Sequence, residues 1–381
     1  MNRRAFTVGI GAAAICGIAR ALEVDDDDAI REILRRRVEV EKRAVGMAVC
    51  VVTPTRRRFV AWGSERLGDS QPVTSKTLFE VGSITKVFSA LLLADMARRG
   101  ELGLDDAVAR HLPEDFRLPA VNRRQITLAD LATHTSGLPR FPALPGTPFS
   151  PAWFEAVTRF SVQDFKNWLA DFRPRRPAGA EWEYSNAGYA LLGLALAHRG
   201  GQPYETLLEG RITDRLGLYD TVLYPPPAMQ PRLAEGHDSA LRPLAPIDLG
   251  IFAAAGSLRS TPQDMAHFAA SILSGSPITP DEQLVLSVQR PAPPIDGVQA
   301  LGWELLNAPG GRFVNKDGVT WGQAASMAFD PDRQLAVVVF SNTLPDLRPS
   351  RPSGGGIGAA DIARHLLRPK IPLGGADGAI Y

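Results

Sequence analysis

The tetrad Ser83-Ile84-Thr85-Lys86 sets a hydroxyl and an amine three residues apart. In a helix those positions share one face, so the Ser83 hydroxyl and the Lys86 amine can meet. A serine at a helix N-terminus also sees the positive end of the helix dipole, which favours developing negative charge. Together these features describe an activated nucleophile. The spacing alone is weak, since 20 serines and six lysines in 381 residues give roughly 0.3 such tetrads by chance. Two further elements follow in order, Tyr184-Ser185-Asn186 and Lys316-Asp317-Gly318.

Lysine is scarce here, six against 36 arginines. Arginine keeps its proton in a protein, whereas a lysine that is buried or set beside another cation can lose it. An unperturbed lysine titrates ~3 units above neutral pH, so making Lys86 a base needs roughly 4 kcal/mol of differential destabilisation. Burial against Val87 and Phe88, with the charge of Lys316, could supply it. Tyr184 between two ammonium groups would ionise more readily and relay the proton. The competing reading of Tyr184 is a core aromatic with its hydroxyl bonded.

Other chemistries find no pattern. Gly-x-Ser-x-Gly, His-Glu-x-x-His, Cys-x-x-Cys and a phosphate-cradling Gly-x-x-x-x-Gly-Lys-Ser/Thr loop do not occur. The six histidines are scattered and read as packing or surface residues; His134, in the turn-rich stretch Thr133–Pro139, reads as a structural hydrogen-bonding group. No metal-ligand cluster is visible in the sequence, and no cofactor is expected.

These groups need a scaffold, and 381 residues allow one large domain or two of ordinary size. Apolar residues at 45% and charged residues at 22% exclude disorder and a multi-span membrane protein. With 42 Lys+Arg against 41 Asp+Glu, the chain lacks the basic excess of a nucleic-acid binder. Cys16 and Cys50 are its two cysteines, which excludes a disulfide framework. Arg3 and Arg4 precede the uncharged run Ala5–Ala19, and Ala19-Arg20-Ala21 supplies a cleavage site. Residues 1–21 thus read as an export signal, by a twin-arginine or an ordinary secretory route, with a periplasmic destination. Its removal leaves Cys50 unpaired, in an apolar run that suits a buried structural thiol.

Asp25–Asp28 can cap a helix predicted over Ala29–Arg43, with Arg35-Arg36-Arg37 on its solvated face. A hairpin of Met47–Thr53 and Arg58–Trp62 follows, then a helix over Ser83–Arg99. Strand-like runs at Gln323–Phe329 and Gln334–Ser341 and a helix over Ala359–Leu367 precede a poorly ordered tail, Arg368–Tyr381. Strands at both ends with a helical middle predict one catalytic domain over 22–367. Its sheet part takes 29–77 plus 250–367, a mostly helical insertion takes 78–249, and a cleft lies between them. Arg56-Arg57-Arg58 and Arg173–Arg176 read as solvated turns in preference to sites for an anionic cell-wall polymer.

The three chemical elements, in this order, resemble those of the serine β-lactamase and penicillin-binding DD-peptidase superfamily, with Tyr-Ser-Asn similar to the class C branch. Supporting stretches include Phe79–Ser83, Leu131–Pro139, Ala187–Gly193, Gly256–Met265 and Leu301–Glu304, and the similarity runs from about Val45 to Leu367. The shortness of the segment between Trp303 and Lys316 looks more like the low-molecular-weight penicillin-binding carboxypeptidase/endopeptidases. The resemblance implies an α/β (α+β) fold of the β-lactamase/transpeptidase type, an antiparallel sheet flanked by terminal helices with an inserted helical subdomain.

It also implies an acyl-enzyme mechanism on D-alanyl-D-alanine peptides of peptidoglycan and/or β-lactams. Ser83 would attack the carbonyl while Lys86 and Tyr184 take its proton and return it to the leaving group. Backbone N–H groups of Ser83 and Val319 would form the oxyanion hole, with Gly318 letting the strand come close. Asn186 would bind the substrate's amide side chain, and Lys316 would support Tyr184 and attract the substrate carboxylate. Two departures stand out. Asp317 replaces the usual Thr and should disfavour a substrate carboxylate unless paired with Lys316 or turned away. Thr320-Trp321-Gly322-Gln323 replaces a Gly-rich segment and puts a bulky ring near the cleft rim. The alternatives are a carboxylesterase on the same scaffold and a binding or sensing module that acylates without turnover.

Overall fold

Side-chain alternation along one strand organises the architecture. Gly46–Val52 (β1) is buried throughout. Met47, Val49 and Val51 enter one apolar layer, and Ala48, Cys50 and Val52 enter another, as a two-residue period requires. A strand buried on both faces belongs inside a sheet that is covered on both sides. Arg57–Gly63 (β2) pairs with it as a hairpin. The other strands come from late in the chain: Arg290–Pro291 (β3), Gly297–Gln299 (β4), Glu304–Ala308 (β5), Gly311–Val319 (β6), Ala324–Asp330 (β7) and Leu335–Ser341 (β8). They form one antiparallel sheet in the order β2, β1, β8, β7, β6, β5, β4, β3. This computed structural model describes residues 26–147, 150–246, 248–293, 295–345 and 358–373, so the expected export signal over 1–21 lies outside the described residues.

Five helices matter for the site: Asp27–Arg35 (α1), Thr85–Arg98 (α2), Asn186–Gly200 (α3), Pro262–Ser274 (α4) and Gly358–Leu367 (α5). Ile30 and Leu34 of α1 and Ile362 and Leu366 of α5 fill the layer on the Met47 side of the sheet. Met265 and Phe268 of α4, with the helical lobe, fill the other. Cys50 is buried there, and loss of solvent pushes its thiol up to about 12, so it stays an inert packing group.

The structure corrects several expectations. Asp26 caps α1 by accepting from the Asp28 and Ala29 amides, so the helix starts earlier than Ala29 and gives way at Arg36 to a π-helical turn, Arg36–Val40. Arg37 and Arg58, expected in solvent, are buried. Arg37 pairs with Asp361 of α5, and Arg58 pairs with Asp27 of α1. A buried guanidinium needs a carboxylate, and each pair pins a terminal helix in place. Arg368, expected to open a loose tail, is buried, pairs with Asp330 at 2.7 Å and donates to the Gly310 carbonyl at 2.9 Å. Ile371 and Leu373 follow it onto the same layer.

Residues 64–289 separate β2 from β3 and carry the helical lobe. Its central helix, α2, is buried from Thr85 to Met96; apolar side chains surround it, and Lys86, Ser89 and Asp95 are buried polar groups among them. Just before it, Phe79–Glu80 pairs with Arg259–Ser260, and a buried Glu80–Arg259 ion pair clamps that junction. The turn entering α2 is thereby held where the lobe meets β6.

Candidate active site

Ser83 lies in the 3-10 turn Gly82–Ile84 that feeds α2. Gly82 has φ +51°, and a Cβ there would stand 2.6 Å from the Val319 nitrogen. A Cβ on Gly318 would stand 1.9 Å from the Val81 carbonyl oxygen and 2.9 Å from the Ser83 nitrogen. Only glycine at both positions lets β6 press against this turn. The contact brings the backbone nitrogens of Ser83 and Val319 to one place.

Lys86 is fully buried. Its Nζ lies 3.0 Å from Ser83 Oγ, 2.8 Å from Asn186 Oδ1 and 2.6 Å from the Ala255 carbonyl oxygen. The last two oxygens can only accept. A neutral amine therefore gives its two protons to them and turns its lone pair on Ser83. Burial lowers the Lys86 pKa, Tyr184 opposes the shift and Lys316 adds to it, with the result at about 8. The amine therefore loses its proton far more readily than an exposed lysine does.

Tyr184 donates its hydroxyl to Ser83 Oγ at 2.6 Å. Burial alone would raise its pKa, but Lys86, Lys316 and Arg140 outweigh burial and bring it down to about 8. All three cations face the ring, at 4.8, 5.1 and 4.9 Å from its centroid. His134 supports the ring from 4.3 Å, and its Nδ1 accepts the Ser185 amide at 3.1 Å, a structural bond of the kind expected. Burial and the nearby lysines hold its pKa well below the usual range, so the imidazole is neutral.

Along β6 the two-residue period separates Lys316 from Asp317. Val314 faces the helical lobe and Phe313 the terminal helices, so Lys316 and Gly318 face the site while Asp317 faces α5. Lys316 is buried and donates to Glu304 of β5 at 2.8 Å. Burial alone would lower its pKa; Glu304, with Tyr184 and Asp317, more than offsets this, and Lys316 stays charged. Asp317 accepts from Arg364 at 2.5 Å and from Ser326 at 2.7 Å. Its carboxylate is turned away from the site and is not paired with Lys316.

Asn186 opens α3, where Ser185 caps the helix by accepting the Gly188 amide at 2.7 Å and the Arg140 carbonyl accepts the Asn186 amide at 2.9 Å. A cleft runs from Ser83 and Asn186 to Val319, walled by Phe141, Trp153, Phe154, Phe252 and Trp321. Trp321 does sit at the rim, its ring 4.0 Å from that of Phe154. The structure thus gathers Ser83, Lys86, Tyr184, Asn186, Lys316, Gly318 and Val319, and sets Asp317 on the opposite face. It adds three groups the sequence reading missed: Glu304, the Ala255 carbonyl and Arg140. Among the described residues no group of His, Cys, Asp or Glu is arranged to hold a metal ion.

The sequence profile of the family described as Beta-lactamase matches residues 27–355. The chain is 28% identical over 369 residues to the D-alanyl-D-alanine-carboxypeptidase/endopeptidase AmpH of Escherichia coli K12, covering 92% of this chain and 94% of that protein. It is 26% identical over 349 residues to a β-lactamase of Pseudomonas fluorescens, covering 82% and 93%. Among solved structures, a β-lactamase/D-alanine carboxypeptidase from Yersinia pestis complexed with citrate superposes with a TM-score of 0.71 at 26% identity, covering 82% of this chain and 92% of that one. The fold, the match over most of the chain and these relatives place it plainly: the chain belongs to the Beta-lactamase family of serine hydrolases.

Proposed function

We propose that the protein hydrolyses D-alanyl-D-alanine peptides of peptidoglycan through an acyl-enzyme on Ser83 and that β-lactams acylate the same serine. The observation that carries this reading is the position of Ser83 Oγ, 3.0 Å from a buried lysine amine and 2.6 Å from a tyrosine hydroxyl. Ser83 Oγ bonds to the substrate carbonyl carbon as its proton passes to the Lys86 and Tyr184 pair. The carbonyl oxygen, now negative, takes hydrogen bonds from the Ser83 and Val319 amides. Tyr184 then gives a proton to the leaving amine, the C–N bond breaks, and water later releases the acyl group by the same relay. Lys316 holds a positive charge beneath Tyr184 throughout. Asn186 has committed its oxygen to Lys86, so its amide nitrogen is the group offered to a substrate carbonyl.

The peptidase emphasis is supported by the relative that covers the larger share of both chains, the carboxypeptidase/endopeptidase. An exported, periplasmic protein suits this substrate, and the Arg3-Arg4 leader favours it. Purified protein treated with fluorescent penicillin, nitrocefin, a D-Ala-D-Ala peptide and p-nitrophenyl butyrate tests the reading. Release of D-alanine and penicillin labelling, both abolished in Ser83→Ala, are expected. Cleavage of the ester alone would make the protein an esterase, and stable labelling with no turnover of any substrate would make it a sensor.

A further inference from the structure

Three cations surround Tyr184, and two of them are already committed. Lys316 is buried and bonded to Glu304. Lys86 is held by Ser83, Asn186 and Ala255. Arg140 is the third. It is partly buried, lines the cleft beside Ser83 and Asn186, and lays its guanidinium 4.9 Å from the Tyr184 ring centroid. Its Nε is buried and has no hydrogen-bond partner among the described residues. The residue is fixed by its own backbone, because its carbonyl accepts the Asn186 and Ala187 amides at 2.9 and 3.3 Å.

A guanidinium kept beside a nucleophile between apolar walls is short of the one partner that fits its fork, a carboxylate. Low-dielectric surroundings strengthen such a pair. We propose that Arg140 determines the specificity of the cleft by binding a carboxylate of the substrate, a part expected from the sequence of Lys316. Phe141, Trp153, Phe252 and Trp321 beside it suit the apolar arm that joins this carboxylate to the reacting carbonyl. The substrate class is an amide or ester with an anionic group on such an arm.

The proposal rests on the acyl-enzyme reading only for the bond that is cut, so binding and turnover are tested separately. In Ser83→Ala protein, tryptophan fluorescence is titrated with phenylacetylglycine and with its uncharged amide. The carboxylate should bind about tenfold or more tightly than the amide. The preference should fall to about twofold or less on adding Arg140→Gln and be kept only in part with Arg140→Lys, whose ammonium keeps the charge and loses the fork. Equal affinities with Arg140 present, or a preference that survives Arg140→Gln, overturn the proposal. In protein that retains Ser83, kcat/KM is compared for p-nitrophenyl butyrate, p-nitrophenyl hydrogen succinate and the butyrate ester of 3-hydroxybenzoate. Arg140→Gln should lower the ratio of one anionic ester to the neutral one about tenfold, and the ester affected shows whether the acyl or the leaving side carries the anion. Unchanged ratios count against Arg140. Discriminating binding with no ester or amide cleavage would instead sink the acyl-enzyme reading and leave Arg140 as the carboxylate site.

Discussion

Asp317 and Arg364 form a 2.5 Å ion pair on the face of the sheet opposite the Ser83 cleft. The carboxylate that stands beside Lys316 in sequence is therefore held by the last helix and turned off the cleft, where its charge helps to keep Lys316 protonated and is not offered to substrate.

Asp317→Thr tests this. The expectation from sequence, that removing the carboxylate raises activity toward carboxylate-bearing substrates, gives way to a structural effect. The variant should lose about 2 kcal/mol of stability, because Arg364 is left partly buried without its partner. The ratio of kcat/KM between anionic and neutral substrates should stay within about threefold. Urea unfolding and the two rate constants check it, and a large gain for anionic substrates would restore the charge reading.

Tyr184→Phe keeps the ring that faces Lys86 and Lys316 and removes only the hydroxyl bonded to Ser83. A lost proton-transfer group should lower kcat about 10²–10⁴-fold with little change in Tm. Single-turnover acylation rates measure this. A rate within a few-fold of the parent would remove Tyr184 from the relay.

Both members of the Lys86 and Tyr184 pair titrate at about 8. The pair acts as a base only after losing a proton, so kcat/KM should rise about tenfold per pH unit below that value and level off above it. A pH profile of acylation between pH 5 and 10 reads this directly. A rate that falls as pH rises from 6 to 8 has the wrong sign for a base made of these groups.

Glu304→Gln leaves the Lys316 ammonium buried without its counter-charge. Breaking a buried pair from one side costs about 3–5 kcal/mol. Denaturant unfolding at pH 7 should show that loss, and Glu304→Gln with Lys316→Met should recover part of it. No recovery in the double variant would mean that the pair is not the source of the loss.

Gly318→Ala puts a methyl group against the Val81 carbonyl and the Ser83 nitrogen. The strand must move off the Ser83 turn, and the Val319 amide goes with it. Loss of one oxyanion donor should cost about 10²–10³ in acylation rate. An unimpaired Gly318→Ala enzyme would show that Val319 does not stabilise the oxyanion.

What the sequence made legible were groups whose signal is local. Ser83 and Lys86 are one helical turn apart, and β1 and β2 announce themselves by apolar runs on either side of Thr53-Pro54-Thr55. Glu304 shows no role in the sequence, because its partner Lys316 lies on the adjacent strand and pairing register is invisible in one sequence. Arg364 is 47 residues from Asp317, and only the α5 packing brings them together. The Ala255 group is a backbone carbonyl, which any residue type could supply. Arg37 and Arg58 lie in charged runs, which look solvated until a distant aspartate is brought to them.

The central claim is that Ser83 becomes covalently acylated, and intact-protein mass spectrometry after brief mixing with a penicillin tests it most directly. One adduct of the compound's mass per chain, on the peptide containing Ser83 and absent from Ser83→Ala, is the predicted result. An adduct on another residue, or turnover that continues in Ser83→Ala, would contradict it.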